Sequence, residues 1–487
     1  MDTAVARPTS SRGARYVVAA LSTAGLALAP LPVSAADDGD HGARFSPGSA
    51  GVGDPYFPLA GNGGIDVEHY DVELRYTPPA VEPAPLEGHL EGTATIDLEA
   101  TEDLSRFNLD LRGLTVTEVE VDGRRATFTQ EAGELVITPR RGLRDGKDVE
   151  VVVEYGGTTG RPLDATGALF GWVTTRDGAM VANEPDGAAT WFPANDHPTD
   201  KATFTFAVTV PAGLVVAANG LLVDRSTEDG LTTWLWDATD DLMAPYLATA
   251  SIGNYRLSTS TAAGVPVIDA IDADLTVPNA RQTAATLTLT DGMIEFFEGI
   301  FGDYPFVAYG SIVDDDSVDY ALETQTRSLF SLVADEATAA HELAHSWVGN
   351  AVSPERWSDL WLNEGWATYS EQLWIEHRGG QTTQQQFDAL MRTPANDPLW
   401  TVRVGDPGAA NMFAGAVYLR GAGTLHALRL RIGDDDFFDL AREWVDRYDD
   451  AAASTADFEA LAEEVSGEDL DQFFEVWLRT TSKPANW

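Results

Sequence analysis

His341-Glu342-Leu343-Ala344-His345, followed after 18 intervening residues by Glu364, is the stretch that decides how this 487-residue chain is read. Residues four apart on an α-helix share a face, one turn above the other. His341 and His345 can therefore aim both imidazoles at one metal ion, and Glu342 stands beside the ion's open position. A catalytic zinc takes three protein ligands and leaves one place to water. Glu364 supplies the third ligand if a second helix packs against the first. The chain holds 8 histidines, so a chance pair at this spacing around a glutamate is rare, and an inert core pair is the weaker reading.

The flanking residues suit two helices. Residues 334–348 (ADEATAAHELAHSWV) are rich in Ala and Glu and free of Gly and Pro, which predicts a helix over that span. Asp335 and Glu336 favour its N-terminal end, Gly349-Asn350 can close it, and Ser353-Pro354 prevents its continuation. A second helix is expected to start near Asn363, as its cap, and to run through Glu371. Such a site suits hydrolysis: zinc polarises a carbonyl and acidifies water, and Glu342 moves the proton to the leaving nitrogen. A tyrosine hydroxyl is a common partner for the oxyanion that forms.

Three segments extend the pattern. His341-Glu-Leu-Ala-His-Ser-Trp-Val-Gly-Asn350 continues into Trp357-Ser-Asp-Leu-Trp-Leu-Asn-Glu-Gly-Trp366; Ala321-Leu322-Glu323 lies upstream, followed by Thr324-Gln325-Thr326-Arg327, and Tyr418-Leu-Arg-Gly-Ala422 lies downstream. In order and spacing they resemble the aminopeptidase N family of zinc metallopeptidases, gluzincins with the pattern H-E-x-x-H-x18-E, in a short bacterial form without a C-terminal helical domain. The resemblance implies that His341, His345 and Glu364 bind one zinc and that Glu342 is the general base. It further implies that Glu323 binds the substrate's α-amino group, that Glu184 faces the same amine, and that Tyr418 donates to the tetrahedral intermediate. Glu371 matches a carboxylate near the metal that supports a ligand. Taken alone, Glu184 and Tyr418 would read as a loop carboxylate and a packed helix tyrosine. Glu323 has a physical rationale as well: an α-amino group is charged near pH 7, and a carboxylate fixed relative to zinc measures off one residue. The chain departs from the family at Tyr320, where Gly is usual, at Leu322 and Thr324, and at Arg420 in place of Lys.

Composition narrows the partners. The formal net charge is −46, which opposes binding to nucleic acid or an anionic membrane. That charge is spread along the chain and reads as solubility outside the cell. The chain has no cysteine, so disulfides and thiolate ligands are excluded. Arg7, Arg12 and Arg15, the apolar run 16–29 and Val33-Ser34-Ala35 read as a signal peptide over 1–35, cleaved after Ala35 or Ala36. Secretion follows as the expectation. Residues 36–53 read as a flexible leader.

Alternating segments over 69–76, 92–98, 114–121, 149–153 and 202–210, with a turn at Asp122-Gly123, predict β structure from 54 to 258. From 259 to 487 helical patterns dominate, at 282–301, 387–392, 418–431, 435–448 and 455–466. The expected fold class is α+β and multidomain: an N-terminal antiparallel β saddle or sandwich, then a thermolysin-like α/β, mainly helical catalytic domain. Asp314-Asp315-Asp316 reads as a solvated loop, since three adjacent residues cannot all face one calcium ion. The leading functional expectation is a secreted zinc aminopeptidase acting on peptides with a free N-terminus. The alternatives are a thermolysin-like endopeptidase, against which Glu323 and Glu184 argue, and a zinc-binding protein without turnover, which would need neither Glu342 nor Tyr418.

Overall fold

Along Ile65–Thr77 buried and exposed side chains alternate almost residue by residue, as they must where one sheet face meets a core and the other meets water. The structure, a computed structural model, describes residues 45–80, 85–164 and 166–485. The expected signal peptide lies outside the described residues. The expected leader is pinned from Ser46 onward: Ser46–Pro47 pairs with Leu104–Asp110, and Gly48 N–H donates to the Arg106 carbonyl at 2.9 Å.

Ile65–Thr77 is central in an eight-stranded sheet. The spatial order is Leu221–Glu228, Leu231–Met243, Ala202–Pro211, Ile65–Thr77, Gly88–Ala100, Lys147–Thr159, Thr115–Val121 and Arg124–Arg125. The antiparallel expectation fails at one pair: Ala202–Pro211 runs parallel to Ile65–Thr77, with Phe204 opposite Tyr70. No hairpin links these two strands, so turn chemistry does not force them antiparallel. Asp122 and Gly123 both take positive φ, the conformation that a two-residue hairpin turn requires. A smaller sheet of Gly171–Thr174, Ala179–Ala182, Ala250–Gly253 and Val215–Ala218 is buried almost throughout, and Glu184 follows its second strand.

Tyr255–Ala262 and Val265–Asp272 then form a hairpin, extended in parallel by Ser311–Asp314 and Ser328–Ser331. Residue 258, the expected domain boundary, lies inside the first of these strands. A shared core of Val173, Met180, Ala217, Tyr255, Ile312 and Leu322 seals this sheet against the smaller one. Asp314 ends its strand buried and Asp316 pairs with Arg161 at 2.8 Å, so of the acidic run expected as a solvated loop Asp315 alone is exposed.

The helical pattern over 282–301 resolves into two helices, α1 (Val277–Leu287) and α2 (Thr290–Phe301). At the break, Thr288 and Thr290 donate their hydroxyls to the Ala285 and Leu287 carbonyls, a local competition that bends helices. α3 (Glu336–Ala344) and α4 (Trp361–His377) carry the metal motif. They are followed by α5 (Thr383–Arg392), α6 (Gly415–Ile432), α7 (Asp434–Tyr448) and α8 (Thr455–Ser466). Among the described residues no helix is long and apolar enough to cross a membrane.

Candidate active site

Asp335 caps α3 by accepting from the Ala337 and Thr338 N–H groups. The helix ends at Ala344, earlier than expected, because the chain tightens: Ser346 N–H reaches back three residues to the Leu343 carbonyl and Trp347 N–H to that of Ala344. His345 is therefore the C-cap, still one turn above His341. α4 starts at Trp361, before Asn363, because a 3-10 turn over Trp357–Asp359 leads into it; Asn363 is buried inside the helix and not its cap. Glu364 sits in the first turn of α4.

The three expected ligands converge. His341 Nε2 lies 3.1 Å and His345 Nε2 3.7 Å from Glu364 Oε2, and one ligand atom from each residue lies within 4.8 Å of the other two. His345 Nδ1–H donates to the Val348 carbonyl at 2.9 Å, which leaves the Nε2 lone pair for a metal. Glu371 Oε2 stands 3.8 Å from His341 Nδ1, on the side away from the ligand atom. Two imidazoles and a carboxylate are a fitting donor set for zinc. Burial would raise the Glu364 carboxyl, but its contacts with His341 and His345 outweigh that and bring it to about 2. Burial would lower the His345 imidazole, yet Glu323, Glu364 and Glu342 carry it to about 10. The site thus calls for positive charge where the metal would lie.

A cleft of about 430 Å³ opens beside these residues, lined also by Glu184, Glu323, Glu342, Tyr320, Phe170 and Tyr418. Glu342 is buried, and its carboxyl is pushed well up by burial and by the charges of Glu323 and Glu364. The Glu323 carboxyl is raised chiefly by burial, and Glu184 by burial and then by Glu323. Glu323 Oε1 and Glu184 Oε1 are both enclosed and have no hydrogen-bond donor. Two such carboxylates, brought together from different sheets, form a socket for a cation. Tyr418, on α6, stacks on His341 with ring centroids 6.2 Å apart; burial holds its phenol well above the usual range, so it remains a proton donor.

Contacts that the sequence did not reveal fix this geometry. The loop carrying Glu323 is bound to the N-terminal half. Arg327 is fully buried, donates to the Ala218 carbonyl and, at 2.7 Å, to that of Gly220, and lies 4.4 Å above the Trp236 ring. Asn219 Nδ2 donates to the Gln325 carbonyl at 2.6 Å. Lys201 Nζ, also from the N-terminal half, donates to the carbonyls of Asn350 at 2.8 Å and Ala351 at 2.7 Å. Asn350 Nδ2 in turn holds the Glu323 carbonyl at 2.8 Å. The signal for Lys201 was scarcity, a lone lysine at the head of an alternating strand in a very acidic chain.

Two glycines set the helix spacing. A Cβ on Gly421 of α6 would lie 2.9 Å from the Gly365 Cα of α4, so only glycine allows this approach. Gly365 adjoins Glu364, and Gly421 is one turn beyond Tyr418. Arg420 is buried away from the cleft and binds the main-chain carbonyls of Trp400, Val402, Val476, Trp477 and Thr480, so it acts as a clamp on the final segment. Tyr320 donates to the Leu169 carbonyl at 2.7 Å and walls the cleft.

Residues 66–247 match the model of the peptidase M1 N-terminal domain, and residues 291–477 that of the peptidase family M1 domain. An M1 zinc metallopeptidase from Deinococcus radiodurans is similar in structure, with a TM-score of 0.80 and 31% identity over 89% of this chain and 99% of that one. That protein has also been solved, as a mutant, with a Tyr-Ser-Ala substrate bound. A leucyl aminopeptidase from Saccharolobus solfataricus is 26% identical over 82% of this chain and 52% of its own length. For a glutamyl aminopeptidase from Sus scrofa the identity is 24%, over 86% and 48%. This chain spans about half the length of the curated relatives it matches.

Proposed function

The chain belongs to peptidase family M1, and from that we propose that it is a secreted zinc aminopeptidase, removing residues from the free N-terminus of peptides. The observation that carries this reading is the pair of enclosed, donor-free oxygens on Glu184 and Glu323 beside the His341–His345–Glu364 triad. A charged α-amino group placed between them supplies the missing donors and fixes the first peptide bond over the metal ligands. An interior peptide segment has no charged main-chain amine to offer.

His341, His345 and Glu364 would hold the zinc, which when bound polarises the scissile carbonyl and acidifies water. Glu342, whose carboxyl is raised and whose oxygen lies within 4.8 Å of ligand atoms of His345 and Glu323, accepts the water proton and delivers it to the leaving nitrogen. Tyr418 donates to the oxygen that gains charge in the transition state. Glu371 steadies His341 from its far nitrogen.

The decisive test pairs a free-amino leucyl or alanyl amide with its N-acetylated twin, each with and without a zinc chelator. Chelator-sensitive cleavage of the free amine alone is expected. Equal cleavage of the blocked twin would make the protein an endopeptidase, and silence on both with zinc bound would point to an unusual side-chain specificity or to a non-catalytic zinc protein. Export is checked separately: protein recovered from the culture medium should begin at Ala36 or Asp37.

A further inference from the structure

Val265–Asp272 and Ser311–Asp314 run parallel as neighbours, and both strands end in aspartate. Asp272 and Asp314 thereby stand side by side, with Asp315 next in the chain. One ligand oxygen from each of the three lies within 4.8 Å of the others. Asp272 is 4% exposed and Asp314 1%, whereas Asp315 reaches the surface. Asp177, from the turn after Gly171–Thr174, and Asp274 add further negative charge to the group.

The hydrogen bonds are uneven. Asp314 is served on both oxygens, by the Tyr255 hydroxyl and by Asp316 N–H at 2.9 Å. Asp272 Oδ1 accepts from Asp274 N–H at 2.6 Å, but Oδ2 is enclosed and has no donor. A buried carboxylate oxygen without a partner is costly, and a buried group of like charges needs a counter-charge. The Arg176 guanidinium lowers the carboxyl of Asp315, the exposed member, and no hydrogen bond reaches Asp272 Oδ2. Burial and mutual repulsion lift the Asp272 and Asp314 carboxyls to about 7, so protons and a cation compete for this place.

We infer that Asp272, Asp314 and Asp315 form a calcium site at the C-terminal ends of the two central strands of the catalytic sheet. An oxygen-only donor set with water completing an irregular shell suits calcium, whereas magnesium demands a near-ideal octahedron and zinc favours nitrogen or sulfur. The objection that three adjacent residues cannot share an ion falls away, because Asp316 turns to Arg161 and Asp272 arrives from another strand. From this point residues 315–322 lead to Glu323, so the ion would anchor the base of the loop that delivers the amine-binding carboxylate. The site does not depend on the peptidase reading.

The test uses the full chain, freed of alkaline-earth ions and reloaded with one equivalent of zinc. Terbium is the probe, since Tyr255 is bonded to Asp314 and would sensitise its luminescence. The expected result is saturable terbium luminescence displaced by calcium and not by magnesium, with calcium raising the unfolding temperature by several degrees. Asp272→Asn should abolish both effects at unchanged zinc content. Should that variant misfold, Asp315→Asn, at the surface, should weaken terbium binding about tenfold. Absence of luminescence and of any calcium shift overturns the site in favour of carboxyls that share protons. Terbium binding indifferent to both substitutions overturns it too, by placing the ion elsewhere on the acidic surface.

Discussion

Glu342 and Glu364 are the same side chain held at opposite ends of the carboxyl range, one pushed well up by burial and the other brought to about 2 by two imidazoles. In the proposed mechanism this difference in environment separates a proton carrier from a ligand. Glu342→Gln is expected to keep one zinc per chain and lose turnover about 100-fold or more, read by metal analysis beside kcat. Equal loss of zinc would make Glu342 a ligand. Tyr418→Phe should lower kcat roughly 100-fold at nearly constant KM, and an unchanged kcat would remove the phenol from the mechanism. At this scale the sequence was legible where chemistry imposes a spacing, as in His341, Glu342, His345 and Glu364. Glu323 and Glu184 came through kinship, because nothing local marks a carboxylate that distant segments will enclose. Lys201 and Arg327 stayed hidden because their partners are main-chain carbonyls, which every residue has.

Between elements, the contact of Gly365 with Gly421 ties the third metal ligand to Tyr418. Gly421→Ala adds one methyl group at 2.9 Å from backbone, and overpacking of this kind costs about 1–3 kcal/mol. The expected outcome is a lower unfolding temperature together with reduced kcat; full activity would show that the helices can separate without moving the site. Lys201→Met removes the ammonium donor from two carbonyls at the turn after α3, and Asn350 loosens its hold on Glu323. KM for a free-amino amide should rise while zinc content stays constant. Helices with their own punctuation are legible: α8 spans the expected residues and is opened by a Ser454–Asp457 capping box. α3 and the break between α1 and α2 were misread, since turn tightening and threonine back-bonding leave helical periodicity intact.

For the molecule as a whole, β-rich then helical character was visible in hydrophobic period alone, whereas the parallel pairing of Ala202–Pro211 with Ile65–Thr77 was not, because periodicity carries no strand direction. Burial raises several carboxyls of the fold: Asp196 to about 7, Asp200 to about 8, Asp241 and Asp269 to about 6. A folded-state value above the unfolded one gives stability that is present at low pH and lost as pH rises through the folded value. The unfolding temperature should therefore be higher at pH 6 than at pH 8.5. Added salt should raise it at both, by screening a net charge of −46. A flat pH profile would mean that these carboxyls keep ordinary values. The Arg327 anchor, finally, bears on heredity. Because the loop bearing Glu323 is fastened to Ala218 and Gly220 of the other half, the two halves are not interchangeable cassettes. Recombination that splits residues 218–220 from 323–327 would transmit an intact metal motif and a displaced carboxylate socket; under the proposed function, such descendants would still bind zinc but have forgotten where a peptide begins.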